Sequence, residues 1–138
     1  MRTITYTSAA KELFSAERLT ALLDKSFKAN QEWQVTGMLL YNAGTFMQTI
    51  EGPPNAIERL FQNICRDNTH HHLIKVLDEE IKERQFGEWH MGFIDGAKLD
   101  TVPLGYTNFL SHPPMAESFR QSNSDAKKLL ASFQSSMT

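Results

Sequence analysis

The residues of this chain best placed to do chemistry are polar ones set among apolar neighbours. In the run Thr45–Gly52, Gln48 shares an alternating face with Phe46 and Ile50, and in Arg2–Ser8, Tyr6 shares one with Ile4. Asn30 falls seven residues after Leu23 and so extends the helical stripe Leu19, Leu22, Leu23, Phe27. A buried amide left unpaired costs about 1–3 kcal/mol, so each of these groups needs a partner. Two arrangements would satisfy them: they bond to one another, or together they line a pocket for a polar, planar ligand. Taken singly, Tyr6 reads as core packing with its hydroxyl at the rim, and Asn30 as a left-handed cap at a helix end. Gln48, in mid-strand on an apolar face, has no capping role to explain it.

The remaining reactive side chains read more plainly. His70, His71 and His72 are adjacent, so in a strand they point to alternate faces and could not all ligate one metal; no metal is expected. Cys65 has no base beside it in sequence and reads as a structural thiol. Asp67 and the carboxylates Asp78, Glu79 and Glu80 suit solvated turns and faces, and Met38, Met47 and Met91 suit core filling. The chain contains no GxxxxGK[ST], GxGxxG, GxSxG or CxxC, so the common enzyme signatures are absent.

Positioning the polar groups requires a sheet and helices. Arg2–Ser8 alternates and is rich in β-formers, predicting a strand. Ser15 can cap the helix that carries the leucine–phenylalanine stripe. The runs Val35–Asn42 and Thr45–Gly52, joined by Asn42-Ala43-Gly44, predict a hairpin. Its first strand is apolar on both faces, with Val35, Leu39 and Tyr41 on one and Met38 and Leu40 on the other, so both faces of the sheet need cover. Gly52-Pro53-Pro54 ends the hairpin and starts a helix whose stripe is Ile57, Leu60, Phe61, Ile64. Leu73–Ile81 fits a helix by spacing and a strand by its β-branched residues and short length, and periodicity leaves both open. Trp89, Met91 and Phe93 alternate as a final strand. The fold class is therefore α+β, a ferredoxin-like β-α-β-β-α-β-β order. A further amphipathic helix, with stripe Ala126, Leu129, Leu130, Phe133, has the second sheet face to cover. The expected division is a globular core over residues 1–95 and a C-terminal helical extension over 96–138.

The composition bounds what such a domain does. The 138 residues, 41% hydrophobic with net charge −2, support one domain and argue against a general nucleic-acid or polybasic membrane binder. No apolar stretch approaches the roughly 20 residues that cross a bilayer, and the N-terminus does not read as a signal peptide. A single cysteine fits a reducing compartment, so a cytoplasmic location is expected.

The stretch Thr36–Gly52, TGMLLYNAGTFMQTIEG, resembles the TG-x-L-x-Y…F-x-Q-x-x-EG hairpin of the BLUF family, small blue-light receptors that bind flavin. Around it stand the Tyr-x-Ser of Tyr6 and Ser8, Asn30 six residues before the hairpin, Asp67 with His70, and the W-x-M of Trp89 and Met91. The resemblance covers about residues 1–95. It implies a ferredoxin-like sheet with two helices on one face, the flavin ring held between those helices, and the C-terminal extension on the other face. It implies that Gln48 lies between Tyr6 and the N5/O4 edge of the ring, that Asn30 serves the opposite imide edge, and that Ser26 contributes a hydroxyl. Phe46 belongs to the same binding set, and Asp67 and His70 match positions near the ring's outer edge and side chain. The family's photochemistry would make Tyr6 the electron donor and Gln48 the amide that rearranges, by rotation or tautomerisation, with Trp89 and Met91 as relay.

Two departures bear on the cofactor. Where the family commonly has D-x-R-H, this chain has Thr69 in place of the arginine, and Asn63 stands where several members have another. Losing cations weakens the grip on a phosphate-bearing tail. Flavin is expected, FAD first, with FMN or riboflavin as alternatives. The roughly forty residues after the core hold no recognisable output enzyme, so signalling would run through a separate effector protein or a homo-oligomer, a dimer or larger. The competing readings are a flavin-dependent reductase, against which stands the lack of a nicotinamide fingerprint, and a cofactor-free interaction module in which Tyr6 and Gln48 bond to each other.

Overall fold

The computed structural model describes residues 1–42, 44–87, 92–95 and 122–135. Five strands and three helices follow in the order β1 (Arg2–Ala10), α1 (Ala16–Glu32), β2 (Thr36–Asn42), β3 (Thr45–Gly52), α2 (Pro54–Arg66), β4 (His70–Glu80), β5 (Gly92–Asp95) and α3 (Asp125–Ser135). The strands form one sheet in the order β4-β1-β3-β2-β5, the ferredoxin-like arrangement with β5 added parallel to β2.

Local chemistry accounts for each boundary. Ser15 caps α1, its Oγ accepting from Arg18 N at 3.2 Å. The helix ends in a Schellman motif: Val35 N donates to Asn30 O at 2.8 Å and Gln34 N to Gln31 O at 3.4 Å, with Gln34 at φ 58°. Gln34, not Asn30, thus takes the left-handed position, and Asn30 remains in the last helical turn. The hairpin turns through Gly44 at φ 95°, and Gly37 allows β2 to approach β3 where a Cβ would lie 2.0 Å from Thr49 O. Pro53 and Pro54 open α2, with Ile57 N donating to Pro53 O.

The segment left open by periodicity is a strand. Residues His70–Glu80 pair antiparallel with β1 at the sheet edge, with register shifts at Thr5/Tyr6 and Thr7/Ala9 and His72 at φ 55°. Bulges break the two-residue alternation, and an edge position leaves Ile74 and Val76 exposed.

Both sheet faces are covered, as the two-sided β2 requires. Against α1 and α2 lie Ile4, Val35, Leu39, Tyr41, Phe46 and Ile50, packed on Leu19, Leu23 and Ile57. On the other face Met38, Leu40 and Met47 meet Phe86 and α3 through Ala126, Leu130 and Ala131. A fully buried carboxylate anchors this side. Glu51 accepts from Thr36 Oγ1, Gln85 N and Phe86 N, each at 2.8 Å, so the segment after β4 is tied to the end of β3. Arg84 closes the clasp by donating to Thr36 Oγ1 and Gln34 O.

Candidate functional site

Between α1, α2 and the sheet lies a cavity of about 450 Å³, within the size range of small-molecule sites. β1 contributes Tyr6 and Ser8, and β3 contributes Phe46 and Gln48. From α1 come Leu22, Ser26, Asn30 and Trp33; from α2, Leu60 and Ile64; and Asp67 and His70 close its outer side. The structure therefore brings Tyr6, Ser26, Asn30, Phe46, Gln48, Asp67 and His70 around one space. Trp89 and Met91 lie outside the described residues, and the final strand is described from Gly92.

Tyr6 and Gln48 are register partners across the β1–β3 ladder, and the Tyr6 hydroxyl donates to Gln48 Oε1. Both are buried, and Phe61 meets the tyrosine ring edge-on at 6.0 Å. Burial pushes the phenol's pKa well above its ordinary 10.0, and the charges of Asp67 and Cys65 push it further. Asp67 is opposed by partial burial, but the Thr69 backbone N–H and hydroxyl, at 2.9 and 2.7 Å, hold its carboxyl below the usual range, helped by His70 and Lys25. His70 Nε2 lies 2.7 Å from Ile64 O. Asn30 is 2% exposed.

The walls suit a flat ligand with polar edges. Aliphatic and aromatic side chains provide the faces, while an amide and phenol stand on the sheet and a second amide and a hydroxyl on α1. Ser8 is the strongest sign: its Oγ is buried and has no hydrogen-bond partner in the structure, a donor and acceptor that lines the cavity. A flavin, with apolar ring faces and hydrogen-bonding edges, fits this donor set. Among the described residues no group of three His, Cys, Asp or Glu side chains is placed to hold a metal. Cys65 is exposed.

The apolar lining and the outer polar residues were not singled out from sequence. Counting from Asn30 in helical steps gives Leu22, Ser26, Ala29 and Trp33, a stripe beside the one that packs on the sheet. That second stripe is the signal that marks the wall.

Fold and site together define a ferredoxin-like domain that encloses a planar, polar-edged ligand between a helix pair and the sheet. A family model described as sensors of blue light using FAD, BLUF, matches residues 1–92, and the chain belongs to the BLUF family. Flavin is the chromophore of these domains. The photoactivated adenylate cyclase subunit beta of Euglena longa is 34% identical over 104 residues, 75% of this chain but only 12% of that protein. Among solved structures, Klebsiella pneumoniae BlrP1 with FMN and cyclic diGMP superposes with TM-score 0.73 at 26% identity over 96% of this chain and 34% of that one. The dark-state structure of BlrB, a BLUF protein, superposes with TM-score 0.69 at 26% identity over 96% of both chains. The chain thus spans a small part of the curated relatives it matches. Among the described residues no helix is long and apolar enough to cross a membrane.

Proposed function

We propose that this domain is a blue-light switch in which Tyr6 and Gln48 are the moving parts and a contact through α3 is the output. The observation that carries the reading is the Tyr6–Gln48 hydrogen bond in the cavity wall. Bound flavin supplies blue absorption and, once excited, a one-electron oxidant. Tyr6 is the electron donor: oxidation makes a phenol strongly acidic, and Gln48 Oε1, already accepting its hydrogen bond, is the group placed to take the proton. A carboxamide is an acceptor at one end and a donor at the other. Turning it over, or shifting its proton, exchanges which end meets Tyr6 and which meets the ligand, without a lasting covalent bond. Asn30, Ser26 and Ser8 hold the ring's other polar positions, with Phe46 against it and Asp67 and His70 at the outer edge.

The signal leaves along β3. Successive strand residues point to opposite faces, so Gln48 faces the cavity while Met47 packs on the α3 side. A shift at Gln48 biases the packing of Met47 against α3, and Trp89 and Met91 remain the proposed relay. We place the sensor core at residues 1–95 and the extension at 96–138. The domain is a sensor rather than an enzyme, acts in the cytoplasm, and signals to a separate effector or to further copies of itself in a homo-oligomer.

The Tyr6–Gln48 bond alone also suits a cofactor-free module. The cavity and the unpartnered Ser8 hydroxyl favour a ligand over that reading. A light-minus-dark absorption spectrum of flavin-loaded protein separates them. The switch gives a small red shift that reverses in the dark, whereas a protein that takes up no flavin, or takes it up and does not shift, contradicts it.

A further inference from the structure

Outside the cavity lies a second groove of about 500 Å³. Phe14, Leu22, Lys25, Asn63, Asp67 and Thr69 line both spaces, so the groove opens directly from the mouth of the cavity. Arg66 lines the groove alone. We propose that this groove receives the phosphoryl end of the flavin side chain, with Lys25 from α1 and Arg66 from α2 supplying the charge that recognises it; the proposal rests on the flavin reading above.

Three observations support it. Asn63 and Thr69, the positions where relatives carry arginine, face this groove as neutral side chains, so any phosphate charge must be met from elsewhere. Lys25 and Arg66 are the two cations on the groove, and neither is in an ion pair within the described residues, in contrast to Arg2, Lys28 and Lys75. The single carboxylate there, Asp67, turns Oδ1 toward Thr69 N and Oγ1. Two cations against one carboxylate leave the groove at +1 before a ligand enters. Arginine offers a planar fork that matches phosphate oxygens and lysine a point charge, so the pair suits a phosphate monoester or diphosphate. Arg66 also stands in the last turn of α2, where a cation favours the helix dipole. That role alone would alter stability and leave flavin choice untouched.

The test is titration of flavin-depleted full-length protein with riboflavin, FMN and FAD at low and high salt, followed by flavin fluorescence. FMN and FAD should bind about 10-fold tighter than riboflavin, in keeping with charge-assisted bonds to phosphate, and the advantage should shrink as salt screens it. Arg66→Ala should cut FMN and FAD affinity about 5-fold, with Kd for riboflavin, which lacks phosphate, staying at the parent value. Lys25→Ala should act in the same direction, and Lys25→Arg should restore the preference. Equal binding of the three flavins by the parent, or an undiminished preference in Arg66→Ala and Lys25→Ala, overturns the proposal while leaving the light switch standing. Failure to bind any of the three overturns the flavin reading and this one with it.

Discussion

Tyr6 and Gln48 sit directly opposite each other on neighbouring strands, and the phenol of one donates to the amide oxygen of the other inside the cavity wall. Because both side chains leave rigid central strands, their contact is set by sheet register rather than by a loop. A slip of one residue in that register would turn both to the far face.

Replacing the amide should silence the switch without emptying the site. Gln48→Leu keeps similar bulk on β3 and removes both hydrogen-bonding ends. The variant should retain flavin, within about 10-fold of parent affinity for loss of one neutral hydrogen-bonding group, and show no red shift on illumination. Titration and light-minus-dark spectra check the two halves separately.

Tyr6 should stay protonated further into base than an ordinary tyrosine. Burial raises its folded-state pKa above 10.0, so the amplitude of the red shift should hold steady from pH 7 to pH 10. Above the unfolded value the denatured chain ionises while the native one does not, so stability should fall as pH rises past about 10. A shift amplitude already halved at pH 10 would contradict the assigned burial effect.

Ser8→Ala should have opposite effects on the two forms of the protein. Removing a buried hydroxyl with no partner should stabilise the flavin-free protein by up to about 1 kcal/mol, because an unmet polar group is relieved. The same change should weaken flavin binding several-fold. Thermal unfolding with and without flavin reads both.

The Glu51 clasp carries a stability prediction. Glu51→Ala strips an acceptor from two backbone N–H groups and the Thr36 hydroxyl, and should cost about 3 kcal/mol in denaturant unfolding. Since Phe86 packs with α3 residues, amide exchange in α3 should quicken in the same variant.

Acid should loosen the far end of the sheet. Arg2 grips Asp78 through two nitrogens at 2.8 Å, and those bonds, with one from Lys75, hold the Asp78 carboxyl well below its ordinary 3.8. A depressed folded-state value gives stability that is complete above the unfolded pKa and is lost as pH falls below it. Stability should therefore decline below about pH 4, and Asp78→Asn should flatten that decline while costing about 0.5–1 kcal/mol at pH 7. Urea midpoints from pH 2 to 7 measure both.

Much of the site was legible because strand alternation is strict. Two parities on β2 announced two covered faces, and Gln48 between Phe46 and Ile50 announced a polar group turned inward. Asn30 was half legible: its stripe was right, but the left-handed cap fell to Gln34, since the Schellman bonds use the Asn30 carbonyl and leave its side chain on the cavity wall. β4 resisted because bulges break its alternation and an edge strand need not bury its β-branched residues. Lys25 and Arg66 gave no signal at all. A groove between two helix surfaces arises from how the helices lean, which no local spacing encodes.

The most direct test of the Tyr6–Gln48 account is the light-minus-dark absorption spectrum of Tyr6→Phe beside that of the parent, both loaded with flavin. The phenylalanine ring keeps the packing on Phe61 and removes only the hydroxyl. The account predicts a yellow variant that binds flavin and lacks the parent's reversible red shift. A variant that shifts and recovers as the parent does would contradict it.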